Sequence, residues 1–353
     1  MAICNPTREG MTEIESFVEA ITERASSVLS SGAREQTFYI GELPFTLIGS
    51  AATQDRLGRA FLNGRELLEG APKFLHRLAI WDGTTQQAMP PKPPWDERDY
   101  SPFGIVRRYS NRDVRFAFDV ETSSLIVYNF ASNASHTWLP SIVQLPIWAT
   151  ASPCRIVLSW LCNLHGMQIV HGAAISIDNK AVLLAGKGGS GKSTTALACA
   201  LAGWAYLGDD YCAVEPGSGK VHLVYRTAKV TPATLKLLPS LEAWVANPEQ
   251  NIEEKGVIFL EADQLTLLPS ANLSAILLPH IGMGRVSTIY PADRSEVIKA
   301  ILPNTVMQLM GGTTITPQLI MQLAHSLPAF HLSLGTDLAS VPGTIASQLS
   351  AVV

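Results

Sequence analysis

The stretch VHGAAISIDNKAVLLAGKGGSGKSTTALACALAGWAYLGDDYCAVE, residues 170–215, decides how the rest of the chain is read. Two short apolar runs, residues 171–175 and 180–185, flank Asp178-Asn179. That dipeptide suits a tight hairpin, because Asp and Asn tolerate the left-handed backbone that a two-residue turn demands. The string Gly186-Lys187-Gly188-Gly189-Ser190-Gly191-Lys192-Ser193 then fits GxxxxGK[ST], a phosphate-binding loop between a strand and a helix. Glycines let backbone N–H groups turn inward around phosphate oxygens with no Cβ in the way. Lys192 can reach the β- and γ-phosphates, and the Ser193 hydroxyl can ligate Mg²⁺. The alanine-rich TTALACALAGW, residues 194–204, predicts a helix whose positive end faces the anion. ATP with Mg²⁺ is therefore the expected ligand, held by Gly186, Lys187, Gly188, Gly189, Ser190, Gly191, Lys192, Ser193 and Thr194.

Downstream, the apolar AYLG (residues 205–208) predicts a buried strand that ends in Asp209-Asp210. Two carboxylates beside a phosphate loop can divide the work, one on the metal and one accepting a proton from an attacking hydroxyl. The bland alternative is a turn or helix-cap pair. His171 stands ahead of the loop, on the strand that enters the hairpin, and a lone histidine there can equally be a satisfied core residue.

Outside this stretch the chain reads in two parts. Of its 353 residues, 47% are hydrophobic and 16% charged, which excludes a disordered or coiled-coil protein. The mean hydropathy is +0.17, yet the apolar runs near residues 142–151 and 156–164 are interrupted, too short for a membrane span of about 20 residues. The net charge of -4, with no dense Lys/Arg cluster, argues against a nucleic-acid partner. The first residues, MAICNPTREGMTEIE, lack the apolar core of a secretory signal. Cys4, Cys154, Cys162, Cys199 and Cys212 are odd in number with no CxxC pair, which fits buried thiols in a reducing cytoplasm.

Residues 1–150 predict an α+β domain without a chemical motif. A helical pattern covers residues 9–30, and FYIGELPFTLIGS (residues 38–50) reads as strand, turn, strand. PPKPPWDERDYSPFG, residues 90–104, reads as an exposed loop, and VRFAFDVETSSLIVYNF, residues 114–130, as two strands about a Thr-Ser-Ser turn. Residues 151–353 predict an α/β domain that carries the phosphate loop.

His171-Gly172, the hairpin, the GxxxxGKS loop, the alanine-rich helix and the strand ending in Asp-Asp together resemble the catalytic domain of HPr kinase/phosphorylase. The match is close over residues 170–215 and loose over the rest of the C-terminal half. The resemblance implies a P-loop kinase domain with a β core and flanking helices. It implies that Asp209 is the base for a serine hydroxyl, with His171 beside it, and that Lys192 neutralises developing charge. It puts Asp210 with Ser193 on the metal side.

The family's Arg-Gly-Leu-Gly signature is missing, the nearest string being EEKGVI at residues 253–258, and residues 1–150 do not resemble the family's regulatory domain. The resemblance therefore leaves phosphorylase activity and a phosphocarrier substrate open. TAKVTPATLKLLP, ILLPHIGMG and LPAFHLSLGTDLASVP look like a diverged branch of the fold, the serine kinases that act on lasso-peptide precursors. That resemblance implies a peptide or small-protein substrate with a serine acceptor, and Arg226, Lys229 or Lys255 as cations for phosphate or the peptide's carboxylate. It leaves a homo-oligomer open, since HPr kinase is hexameric. A small-molecule kinase and a non-catalytic ATP sensor are the alternative readings.

Overall fold

The computed structural model describes residues 8–62, 75–84, 88–249, 255–309 and 312–351. Cys4 and Glu253-Glu254, named above, lie outside the described residues. The chain divides into two units, Met1–Pro153 and Cys154–Val353, and both are mixtures of helix and strand.

In the first unit the apolar positions of residues 9–30 fall on one face of helix α1 (Arg8–Leu29). Strands β1 (Arg34–Ile40) and β2 (Leu43–Gly49) form a hairpin. Ser50 then caps the short helix α2 (Ala51–Arg56) by accepting a hydrogen bond from the Thr53 N–H. Strands β3 (His76–Asp82), β4 (Val114–Asp119), β5 (Ser124–Asn129) and β6 (Ala134–Leu139) complete a six-stranded sheet, in the order β1-β2-β3-β6-β5-β4. It is mixed: β3 runs parallel to both β2 and β6, and the other pairs are antiparallel. A single helical turn, α3 (Ile147–Thr150), follows.

Residues 90–104 were expected to be an exposed loop, and one side chain departs from that. Trp95 is buried, packed 5.0 Å from Phe17 of α1 and 4.8 Å from Phe116 of β4 between ring centres. The flanking prolines and a capped turn at Glu97–Asp99 stay at the surface and hold the indole inward. Its Nε1 donates to the Tyr100 hydroxyl at 2.7 Å, so burial leaves no unpaired donor there.

The second unit opens with α4 (Arg155–Leu164), whose side chains are almost all buried, then β7 (Gln168–Val170). The hairpin of β8 (Gly172–Ile177) and β9 (Lys180–Ala185) turns at Asp178 and Asn179, both at positive φ (48° and 60°). Helix α5 (Lys192–Leu201) and strand β10 (Ala205–Gly208) follow. Next come β11 (Cys212–Glu215), β12 (Lys220–Leu223), β13 (Thr227–Val230), α6 (Pro232–Leu237), β14 (Gly256–Phe259) and the long β15 (Ser270–Ile281). The chain ends through β16 (Thr288–Pro291), α7 (Arg294–Gln308), α8 (Thr316–Ser326), β17 (Ala329–Leu334) and α9 (Val341–Ala351).

The main sheet of this unit runs β10-β8-β9-β15-β12-β11-β7, with β17 beside the distal part of β15 and β16 outside β17. On one face Leu183, Ala185, Ile276 and Leu278 pack against Val297 and Ile301 of α7 and Ile320 and Leu323 of α8. Helix α5 lies against β8. Strands β13 and β14 form a separate antiparallel ribbon. No helix among the described residues is long and apolar enough to cross a membrane.

Strand directions place the site. β8 is antiparallel to both β9 and β10, so those two run the same way with β8 between them. The carboxyl ends of β9 and β10 and the amino end of β8 therefore meet at one edge of the sheet. β15 and β17, parallel to β9 and to each other, end there too. Such an edge is where ligands bind in sheets of this kind.

Candidate functional site

That edge gathers the residues singled out in the sequence. The glycine loop leaves β9, Asp209 and Asp210 follow β10 directly, and His171 precedes the first residue of β8 rather than lying within the strand.

The loop geometry assigns a different reason to each glycine. Gly186 has φ of +155°, and a Cβ there would stand 2.9 Å from Ser190 Oγ. Gly191 has φ of +100° and backs onto the Leu334 side chain, where a Cβ would collide. Gly189 needs its positive φ of 76° but has nothing nearby. Gly188 has neither a positive φ nor, among the described residues, any atom within 4 Å of a built Cβ, so none of them requires glycine at that position. An open approach to its backbone is what a phosphate would use.

Lys187, Gly188 and Gly189 are exposed, while Gly186, Ser190 and Lys192 are buried. The Lys192 ammonium is turned onto the loop itself, donating to the Gly186 carbonyl at 2.8 Å and the Lys187 carbonyl at 3.0 Å. Burial lowers its pKa, with Asp209 and Asp210 opposing the shift. Asn304 of α7 also reaches the Gly186 carbonyl, at 3.4 Å. Buried Ser190 Oγ has no hydrogen-bond partner among the described residues. Thr194 instead pairs with Thr234 of α6 at 2.9 Å.

The two aspartates point to different partners, because Asp210 is in the left-handed conformation (φ 69°) and reverses the chain between them. Asp209, only 2% exposed, accepts from Ser193 Oγ at 2.8 Å and from the Lys229 N–H at 3.3 Å. Burial, then the charge of Asp210, raises its pKa, and these hydrogen bonds offset part of the rise. Asp210 faces Lys229 Nζ at 2.6 Å and His171 Nδ1 at 3.4 Å. Burial alone would push the Asp210 carboxyl up, but Lys229 and His171 outweigh it and its pKa lies below the usual value.

This pairing differs from the expected one. Ser193 meets Asp209, not Asp210, and His171 stands beside Asp210, not Asp209. The left-handed backbone at Asp210 is the reason, and no spacing rule reveals it.

Burial lowers the His171 pKa to about 4, so the ring is neutral at pH 7. Its contact with Asp210 is therefore not an ion pair, and the 3.4 Å approach makes no hydrogen bond. His171 Nδ1 is a buried nitrogen without a hydrogen-bond partner among the described residues. The ring is held edge-on to Tyr211, 6.0 Å between centres, and the Tyr211 hydroxyl donates to Gln308 of α7.

Of the three cations considered, Lys229 is within the site. Arg226 is committed to Glu261 at 2.7 Å. Lys255 is exposed and acts on the site through its charge, lowering the pKa values of His171 and Lys192. The double hold of Lys229 on the aspartates, by backbone and by ammonium, was not legible in sequence. A lysine in an alternating strand reads as a solvated charge.

Among the described residues no group of three His, Cys, Asp or Glu side chains could enclose a metal. Mg²⁺ beside a nucleotide needs less, because it keeps several waters and takes one or two carboxylates with the phosphates. Ser193 and Asp209, two adjacent oxygen donors at the start of α5, fit that requirement. The open backbone at Gly188 and the unpaired Ser190 Oγ fit a phosphate. No protein-family model matches the sequence, and no curated protein matches it.

Proposed function

We propose that the chain is a kinase that transfers the γ-phosphoryl group of Mg²⁺-bound ATP to a serine hydroxyl of a peptide or small protein, on a P-loop domain of the HPr-kinase type. The observation that carries this reading is the Ser193–Asp209 hydrogen bond of 2.8 Å, formed where the glycine loop enters α5. It sets a hydroxyl and a carboxylate side by side at the point where a triphosphate would end. A second carboxylate, Asp210, stands free of that pair.

When bound, Mg²⁺–ATP supplies an electrophilic γ-phosphorus whose charge is partly neutralised. The loop amides and the N-terminus of α5 hold the phosphates, and Lys192 exchanges its loop carbonyls for phosphate oxygens. Ser193 and Asp209 serve as metal ligands. Asp210, kept anionic by Lys229, accepts the proton of the acceptor serine. The serine O–H bond breaks as its oxygen bonds to the γ-phosphorus. The bridging P–O bond to the β-phosphate breaks, and ADP leaves with the electron pair. Neutral His171, its Nδ1 unpaired, orients the acceptor side. These roles exchange the two aspartates relative to the resemblance. The peptide substrate, of the lasso-precursor kind, rests on the resemblance.

The test is intact mass after incubation with Mg²⁺–ATP and candidate precursor peptides that end in serine. A gain of one phosphoryl group, absent with Asp210→Asn, supports the kinase and its acceptor class together. Tight ATP binding without a mass gain on any peptide would shift the reading to a small-molecule kinase or to an ATP sensor.

A further inference from the structure

The two sides of the phosphate loop are unlike. On one side, across β8, lies β10 with Asp209 and Asp210. On the other lies β15, which ends at Ile281 and continues into residues 282–287. If the γ-phosphate end of a nucleotide faces Ser193 and Asp209, the rest of the extended molecule leaves the loop away from β10, toward β15.

That side carries apolar side chains the protein does not cover. Ile281 is 69% exposed, Met283 fully exposed and Val286 57% exposed, all within six residues. Ile281 also adjoins the loop, since its Cδ1 would lie 3.7 Å from a Cβ on Gly191. The segment is not loose. Gly282 N–H donates to the Leu334 carbonyl, Thr336 N–H to Gly284 and Asp337 N–H to Arg285, and the Gly335 N–H donates to Ser287 Oγ. Gly335 approaches the Arg285 backbone so closely that any Cβ would collide. A segment fixed this firmly holds Met283 and Val286 out in water. Single exposed apolar residues need no explanation, but three within six residues, on a fixed segment beside the glycine loop, do.

We infer that residues 281–286 form the seat of the nucleoside, with Met283 and Val286 packing against the face of the ATP purine and Ile281 closing the gap to the loop. The inference rests on the phosphate-transfer reading above and adds the part of the substrate that reading leaves unassigned. Apolar and aromatic side chains bind bases through their flat faces, largely without hydrogen bonds, so the seat favours a purine over no base at all more than it discriminates among purines.

The experiment compares Mg²⁺–ATP with inorganic tripolyphosphate plus Mg²⁺, by calorimetry, on the full chain. Variants are Met283→Ser/Val286→Ser and, as a control, Lys192→Met. The expected result is about a tenfold loss of ATP affinity in the double variant with tripolyphosphate affinity unchanged. Lys192→Met weakens both ligands. Both variant positions are exposed, and circular dichroism with thermal unfolding checks that the double variant folds as the wild type does.

Equal effects on ATP and tripolyphosphate, or none on either, would overturn the nucleoside seat while leaving the phosphate site intact. A change in oligomeric mass on light scattering with unchanged ATP affinity would also overturn it, assigning the cluster to contact with a second copy. If the wild type binds neither ligand, the phosphate reading fails and takes this inference with it.

Discussion

Gly188 and Gly191 are the same residue type three positions apart, and the structure gives them opposite prospects. Gly191→Ala puts a Cβ into Leu334 at a φ of +100°, so strain and overpacking should together cost about 2 kcal/mol or more. Gly188→Ala meets nothing within 4 Å, so thermal unfolding should be unchanged while nucleotide affinity falls. Loss of stability in Gly188→Ala would mean that the loop has a contact partner this geometry lacks. The aspartates divide in a similar way. Asp209→Asn should weaken ATP binding in the presence of Mg²⁺ more than in its absence. It should not lower the melting temperature, because a buried carboxylate with a raised pKa is costly to keep charged. Asp210→Asn should leave nucleotide affinity near wild type and abolish transfer. The opposite assignment of the two phenotypes would restore the roles implied by the resemblance.

At the scale of elements, the strand β13 matters more than its length suggests. It is four residues long and belongs to the small ribbon with β14, yet it brings Lys229 to both aspartates. Lys229→Met would leave Asp210 half-buried and unneutralised beside a neutral histidine. Removing one partner of such a pair costs about 3 kcal/mol. A loss well below 1 kcal/mol on chemical unfolding would show that solvent screens the pair. In kinetic terms the phosphoryl-transfer rate should fall while the KM for ATP holds, with Lys229→Arg recovering part of the rate. The hairpin β8–β9 and the helix α5 follow from local chemistry: a dipeptide that accepts positive φ, an apolar alternation, an alanine-rich run. β13 does not, because its importance comes from a side-chain pairing with residues about twenty positions away.

At the scale of the whole molecule, the first unit carries its own titrating group. His136 of β6 is buried, and its Nε2 lies 3.2 Å from the Thr22 hydroxyl of α1. That hydroxyl already donates to the Val18 carbonyl, so His136 Nε2–H is the donor and Nδ1 has no partner among the described residues. Burial lowers the His136 pKa from 6.5 to about 4. A proton is then bound by the unfolded chain before the folded one. Stability should therefore be undiminished above pH 6.5 and fall progressively from there to pH 4, by about 3 kcal/mol at the lower end. Chemical unfolding followed across that range measures the slope. His136→Phe should remove that share of the fall and leave the share of His171, whose pKa burial also lowers to about 4; an unchanged slope would assign the whole fall to other groups.

What the amino-acid sequence determined by itself is the part built from neighbours along the chain. The glycine loop, its flanking strand and helix, the hairpin turn, the paired aspartates and the helix at residues 9–30 all depend on residue types within a few positions of one another. Even the burial of Cys162, Cys199 and Cys212 follows from their apolar surroundings, whereas Cys154 is only partly buried. Tertiary structure alone decided which partner each charged group has. Asp209 belongs to Ser193 and Asp210 to Lys229 because one left-handed residue turns the chain between them and because a separate ribbon delivers the lysine. Trp95 is drawn out of a proline-rich surface segment because Phe17 and Phe116 offer it a dry face. Hydrophobic periodicity and backbone preference are local and can be read in order. Electrostatic pairing and desolvation depend on distances in space, and those exist only once the strands have taken their places in the sheet.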